Sequence, residues 1–157
     1  MNDVISGLQS HHPELIQEFL GDLSLARERS NMPGLMLNGR QMDKLIREDS
    51  LVKLSDLLKK IKSKFLVSVD YLRILKKLHS MMVSKTLAPD IEYKTAIKEF
   101  HVLFDRVHHL ELVNETPKIH LISDHLEDWF DKTRMTLWWA DTSGKINFTA
   151  YRVKMGI

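Results

Sequence analysis

Between His120 and Asp131 the chain sets two histidines, His120 and His125, among four carboxylates, Asp124, Glu127, Asp128 and Asp131. Imidazoles and carboxylates are the side chains that hold divalent ions and move protons, so candidate chemistry gathers here. Each helical residue advances by about 100°. With His120 at zero, Asp124 falls at about 40°, Glu127 at about −20°, Asp131 at about 20° and Asp128 at about 80°. One face therefore carries them all, and Ile119, Ile122, Leu126, Trp129 and Phe130 fill the opposite arc. One nitrogen donor with several carboxylates suits Mg²⁺ or Mn²⁺, the ions of phosphoryl transfer, and makes His120, Asp124, Glu127 and Asp131 the candidate metal ligands. The same spacing describes a solvated helix face, with acids near the amino end favoured by the dipole. His125 falls at about 140°, at the edge of the apolar arc, and reads as a core-edge histidine.

A second set is basic. From Lys53 to Lys77 the chain carries Lys53, Lys59, Lys60, Lys62, Lys64, Arg73, Lys76 and Lys77 against Asp56 and Asp70. Lys59, Lys60, Lys62, Lys64, Lys76 and Lys77 are the candidate nucleic-acid contacts, because clustered cations neutralise phosphates. The outer face of a bundle helix has the same composition. A third set is apolar. Leu51, Leu54, Leu58 and Ile61 follow the spacing of a helix-pairing seam, and Trp138 and Trp139 offer stacking or anchoring surface. These six are the candidate interface residues, with core packing as the alternative.

The histidine pairs His11-His12 and His108-His109 point about 100° apart on a helix and make no two-ligand site. His101 with Asp105 has the spacing that a helix-borne ligand pair needs, but a solvated surface is the favoured reading. Glycine loops for phosphate, dinucleotide fingerprints, nucleophile elbows and kinase motifs are missing from the chain. These absences favour a non-enzymatic protein.

The elements that must position these residues read as helices. Four prolines and six glycines punctuate 157 residues, and none falls between Arg40 and Ala88. A first helix is expected at about 13–30, starting at Pro13 and turning Leu15, Ile16, Phe19, Leu20 and Leu23 to one side. Asn38 can cap a short helix carrying Met42, Leu45 and Ile46. A helix from Asp49 or Ser50 carries the leucine seam. The run Phe65 to Val69 interrupts it, and Ser68 is a candidate cap for a helix bearing Leu72, Leu75, Leu78 and Met82. Leu87 to Asp90 is a turn, followed by a long helix over about 91–110. Thr116 and Pro117 open the next, which runs to about Lys132. The stretch of about 136–154 reads as a two-stranded hairpin. The expectation is one mainly α domain over residues 1–157, a bundle of about five or six helices with a small carboxy-terminal hairpin.

Composition agrees with a globular chain. Hydrophobic residues form 43%, charged residues 28%, and the net charge of +2 is too small to imply a partner by itself. Without cysteine there is no disulfide, thiolate site or cysteine nucleophile. The amino terminus lacks a basic start and an apolar stretch, and no apolar run reaches membrane-spanning length. The expected location is intracellular, cytoplasmic or nuclear, without a membrane partner.

The segment Gly34-Leu35-Met36-Leu37-Asn38-Gly39-Arg40, followed by Met42, Leu45 and Ile46, resembles a family of invertebrate proteins associated with mobile elements. That family is transposase-like. Its later block is similar to Thr116-Pro117-Lys118-Ile119-His120, His125 and Trp129-Phe130 here, and the resemblance spans roughly residues 34–144. Where the family continues into a glutamate and a histidine, this chain has Gly144-Lys145-Ile146-Asn147-Phe148-Thr149. The resemblance thus implies a truncated or repurposed fragment lacking part of a metal-binding set. Three functions follow as expectations. The first is a non-enzymatic helical module acting by association with itself or another protein. The second is a nucleic-acid-binding domain, and the third a metal-dependent nuclease or transposase remnant.

Overall fold

The structure is a computed structural model that describes residues 2–23 and 39–137. The protein is mainly α, and no strand occurs among the described residues. Helices run over Asn2–His11 (α1), Pro13–Asp22 (α2), Gly39–Leu45 (α3), Glu48–Lys60 (α4), Val67–Val83 (α5), Asp90–His109 (α6), Pro117–His120 (α7) and Leu126–Thr133 (α8). A 3₁₀ turn, Lys64–Leu66, precedes α5, and a π turn, Leu121–His125, joins α7 to α8. The expected hairpin lies outside the described residues, except for its first two positions. So do the second half of the expected first helix, the Asn38 cap and most of the first block of the family resemblance.

Backbone contacts gather the chain into two compact units. One comprises the described parts of Met1–Arg73 with Val102–Asn114, the other those of Ile74–His101 with Glu115–Ile157. The long helices α5 and α6 each contribute to both.

In the first unit, α1 packs on α2, and α4 packs on α2, α3 and the 3₁₀ turn. The sequence did not announce α1, yet Val4, Ile5 and Leu8 are buried along it at helical spacing. Its approach to Leu112 is close: a Cβ on Gly7 would meet Leu112 Cδ2 at 2.9 Å. The α4 stripe Leu51, Leu54 and Leu58 is fully buried. Ser50 starts no helix. It is buried inside α4, and its hydroxyl donates to the Lys44 carbonyl at 2.9 Å.

The glycine-free stretch is broken by an uncommon device. After α4, the Lys62 N–H donates to Lys59 O and the Ser63 N–H to Leu58 O, both at 3.0 Å. Lys62 lies in the left-handed region at φ 53°. This double bond pattern is a Schellman cap, in which glycine usually takes the left-handed position. The end of α6 repeats it: Glu111 at φ 61° donates to His108 O, and Leu112 donates to Val107 O. Ser63, not Ser68, then starts the next element by accepting from the Phe65 N–H at 3.1 Å. Ser68 sits buried within α5, and its hydroxyl has no hydrogen-bond partner among the described residues.

In the second unit, α6 begins at Asp90 as expected after the Leu87–Asp90 turn, with the Glu92 and Tyr93 N–H groups donating to Pro89 O. Tyr93, Ala96, Ile97 and Phe100 are buried along it, as are Ile119, Ile122, Leu126, Trp129 and Phe130 from α7 to α8. Trp129 Nε1 donates to Met135 O at 2.9 Å, and Thr136 Oγ1 donates to Ser84 O.

Candidate metal centre

Thr116 caps α7 as its sequence suggests, its hydroxyl accepting from the Ile119 N–H at 3.3 Å, with Pro117 in the first turn. The helix then widens. The Leu126 N–H reaches back five residues to Leu121 O, and His125 leaves helical geometry at φ −128°. A π turn of this kind holds one residue more than an α turn, and such turns concentrate at functional sites.

The widening changes what His120 meets. His125, expected at the core edge, is half-buried and brings its Nε2 to 3.2 Å from His120 Nε2, with the rings crossed at 77°. On the other side of the same ring, His120 Nδ1 lies 2.8 Å from Asp124 Oδ2 and 3.5 Å from Glu115 Oε1. Glu115, His120 and Asp124 offer ligand atoms within 4.8 Å of one another. All three are about half exposed.

Of the four expected ligands, then, His120 and Asp124 are brought together. Glu127 and Asp131 lie outside the group, because they stand well over one turn further along the helix than His120, beyond the reach of a shared ion. Asp131 accepts a hydrogen bond from the Tyr93 phenol and lies 3.7 Å from Lys94 Nζ. Arg134 completes this second cluster, with Nη2 at 2.7 Å from Asp90 Oδ1 and Nη1 at 3.4 Å from the Tyr93 oxygen. Burial, then the hydrogen bond and charge of Asp131, push the Tyr93 phenol up to about 12, with Arg134 opposing. The Arg134 hydrogen bond holds the Asp90 carboxyl below its usual range. Sequence reasoning missed Glu115, which precedes the helix and belongs to no periodic pattern. The partner of His125 was not legible, because uniform helical spacing sets this residue about 140° from His120.

The remaining candidates divide as follows. Leu51, Leu54 and Leu58 are buried and present no surface for association, a correction to their reading as an interface. Their spacing marks a core stripe of the first unit. Ile61, at the end of α4, is 47% exposed. Trp138 and Trp139 lie outside the described residues. Lys59, Lys60, Lys62 and Lys64 are exposed in the first unit, whereas Lys77, exposed, and Lys76, half-buried, belong to the second. No described helix is long and apolar enough to cross a membrane.

Comparison with protein-family models, curated proteins and solved structures finds no match to this chain. The functional conclusion therefore rests on the chain's own geometry.

Proposed function

We propose that this protein binds a divalent transition-metal ion on the π turn, with the His120 and His125 Nε2 atoms as its nitrogen ligands. Their 3.2 Å separation carries the reading. Two nitrogens bound tetrahedrally at about 2.0–2.1 Å stand about 3.3 Å apart, so the pair needs little movement to share an ion. Asp124 accepts from His120 Nδ1–H, the outer-shell arrangement that fixes the tautomer and strengthens the ligating nitrogen. Glu115 Oε1, 3.5 Å from the same Nδ1, adds a second carboxylate on that side of the ring. Two imidazoles favour Zn²⁺, Co²⁺ or Ni²⁺ over the Mg²⁺ or Mn²⁺ expected for one histidine with several carboxylates.

Calorimetric titration with Zn²⁺, with Mg²⁺ as comparator, tests this. One Zn²⁺ per chain, weakened by His125→Ala and by acid because protons compete for the imidazoles, is the expected result. Equal binding by His125→Ala, or none by the native chain, rejects it.

A second reading has its own observation. Lys59, Lys60, Lys62 and Lys64 are exposed together at the end of α4, and no carboxylate pairs with them among the described residues. They suit a nucleic-acid backbone. Anisotropy of a labelled duplex should then show affinity falling steeply with salt, and Lys60→Glu should flatten that dependence. Salt-insensitive binding, or none, leaves the lysines as a solvated face.

A further inference from the structure

The first unit also holds a surface cleft of about 540 Å³, lined by Lys64, Val67, Asp105, Arg106, His109 and Leu110. None of these residues belongs to the metal centre. The volume lies in the range of small-molecule sites. Most of the lining surface is apolar, supplied in part by Val67 and Leu110, and the charged groups stand around it.

Arg106 and His109 occupy the last turn of α6, where cations commonly offset the negative helix end. That role accounts for cations at a helix terminus but not for Lys64, which enters from the 3₁₀ turn. Three of the last four α6 carbonyls already accept backbone bonds, since Leu110, Glu111 and Leu112 donate to Arg106, His108 and Val107. Lys64 Nζ stands 5.2 Å from the centre of the Phe65 ring. Neither Lys64 nor Arg106 forms an ion pair among the described residues, although Asp105 lines the same cleft. Two uncompensated cations beside an apolar surface are complementary to a ligand with both features.

We propose that this cleft binds a small amphipathic organic anion. Its phosphate or carboxylate sits on Arg106 and Lys64, and its aromatic or aliphatic body covers Val67 and Leu110. A guanidinium grips two oxygens of such a head group at once, and the ammonium adds a point charge. Asp105 offers an acceptor to a hydroxyl or amine on the ligand and selects against a second anionic group there.

Phenyl phosphate is the probe, with phenol and inorganic phosphate supplying each half alone. Backbone ¹H–¹⁵N resonances of the full chain report the site. Saturable shifts at Lys64, Val67, Arg106 and Leu110 are expected with phenyl phosphate, at least about tenfold tighter than with either half. Arg106→Gln and Lys64→Gln, both at exposed positions, should each weaken binding severalfold while the remaining spectrum keeps its dispersion. Equal affinity for inorganic phosphate, or binding unchanged in both variants, would reduce the cleft to general surface charge and overturn the proposal. No shifts at all would also overturn it. So would a DNA duplex moving Lys59, Lys60 and Lys62 while phenyl phosphate leaves the cleft unmoved, which would assign the cations to a nucleic-acid backbone.

Discussion

Two polar clusters in the second unit use similar residues to opposite ends. Around Tyr93, an arginine, two aspartates and a lysine enclose a phenol that is fully buried. Around His120, a second histidine and two carboxylates converge on a ring that stays half exposed. The first cluster closes on itself: Arg134 sits at the left-handed end of α8, φ 54°, and ties it to the start of α6 through Asp90. Its groups are committed to one another. The second stands on a widened turn that brings two ring nitrogens within 3.2 Å of each other. Buried, mutually satisfied polar groups specify a fold, whereas exposed convergent donors are available to a ligand.

Substitutions should separate the two clusters by where their effect appears. Tyr93→Ala removes a buried ring and its hydrogen bond and should cost about 3–5 kcal/mol in denaturant unfolding. Asp131→Ala leaves the buried phenol without its acceptor and should cost about 1–3 kcal/mol. If either proves neutral, the clasp is not what joins α8 to α6. The same cluster should be visible in alkali. The Tyr93 pKa rises from 10.0 to about 12 on folding, so the folded state holds its proton longer than the unfolded chain. Its stabilising contribution is complete below the unfolded value and is lost as pH rises through this window. The unfolding midpoint should therefore fall between these values, less steeply in Tyr93→Phe.

The histidine turn should respond in affinity rather than stability. Asp124→Asn, which weakens support for the His120 ring, should reduce Zn²⁺ affinity by about 10- to 100-fold in calorimetry. His120→Ala should abolish Zn²⁺ binding but change metal-free stability by no more than about 0.5 kcal/mol, as at an ordinary surface position. A large loss of stability in the metal-free variant would make the turn a second structural clasp and erase the contrast.

Legibility along the chain follows the same division. The periodic apolar residues Leu51, Leu54, Leu58, Leu72, Leu75, Leu78 and Met82 identified buried helix faces, because burial is repaid residue by residue at a fixed angle. Thr116-Pro117 was readable because a cap depends only on its neighbours. The end of α4 was not, since Lys62 occupies the position where glycine would have signalled the break. A non-glycine residue there costs about 1–2 kcal/mol, which only the surrounding packing can offset. Lys62→Gly should accordingly stabilise the metal-free protein by up to about 1 kcal/mol in the same unfolding assay.

By itself, then, the sequence determined a helical protein, most of its buried faces, the Thr116 cap and the region in which histidines and carboxylates concentrate. These depend on spacing within one element. Tertiary structure decided which of those groups meet. One extra residue in a helical turn brought His125 to His120, while Glu115 arrived from a loop. Such choices depend on how a turn packs against a core, and no local pattern encodes that.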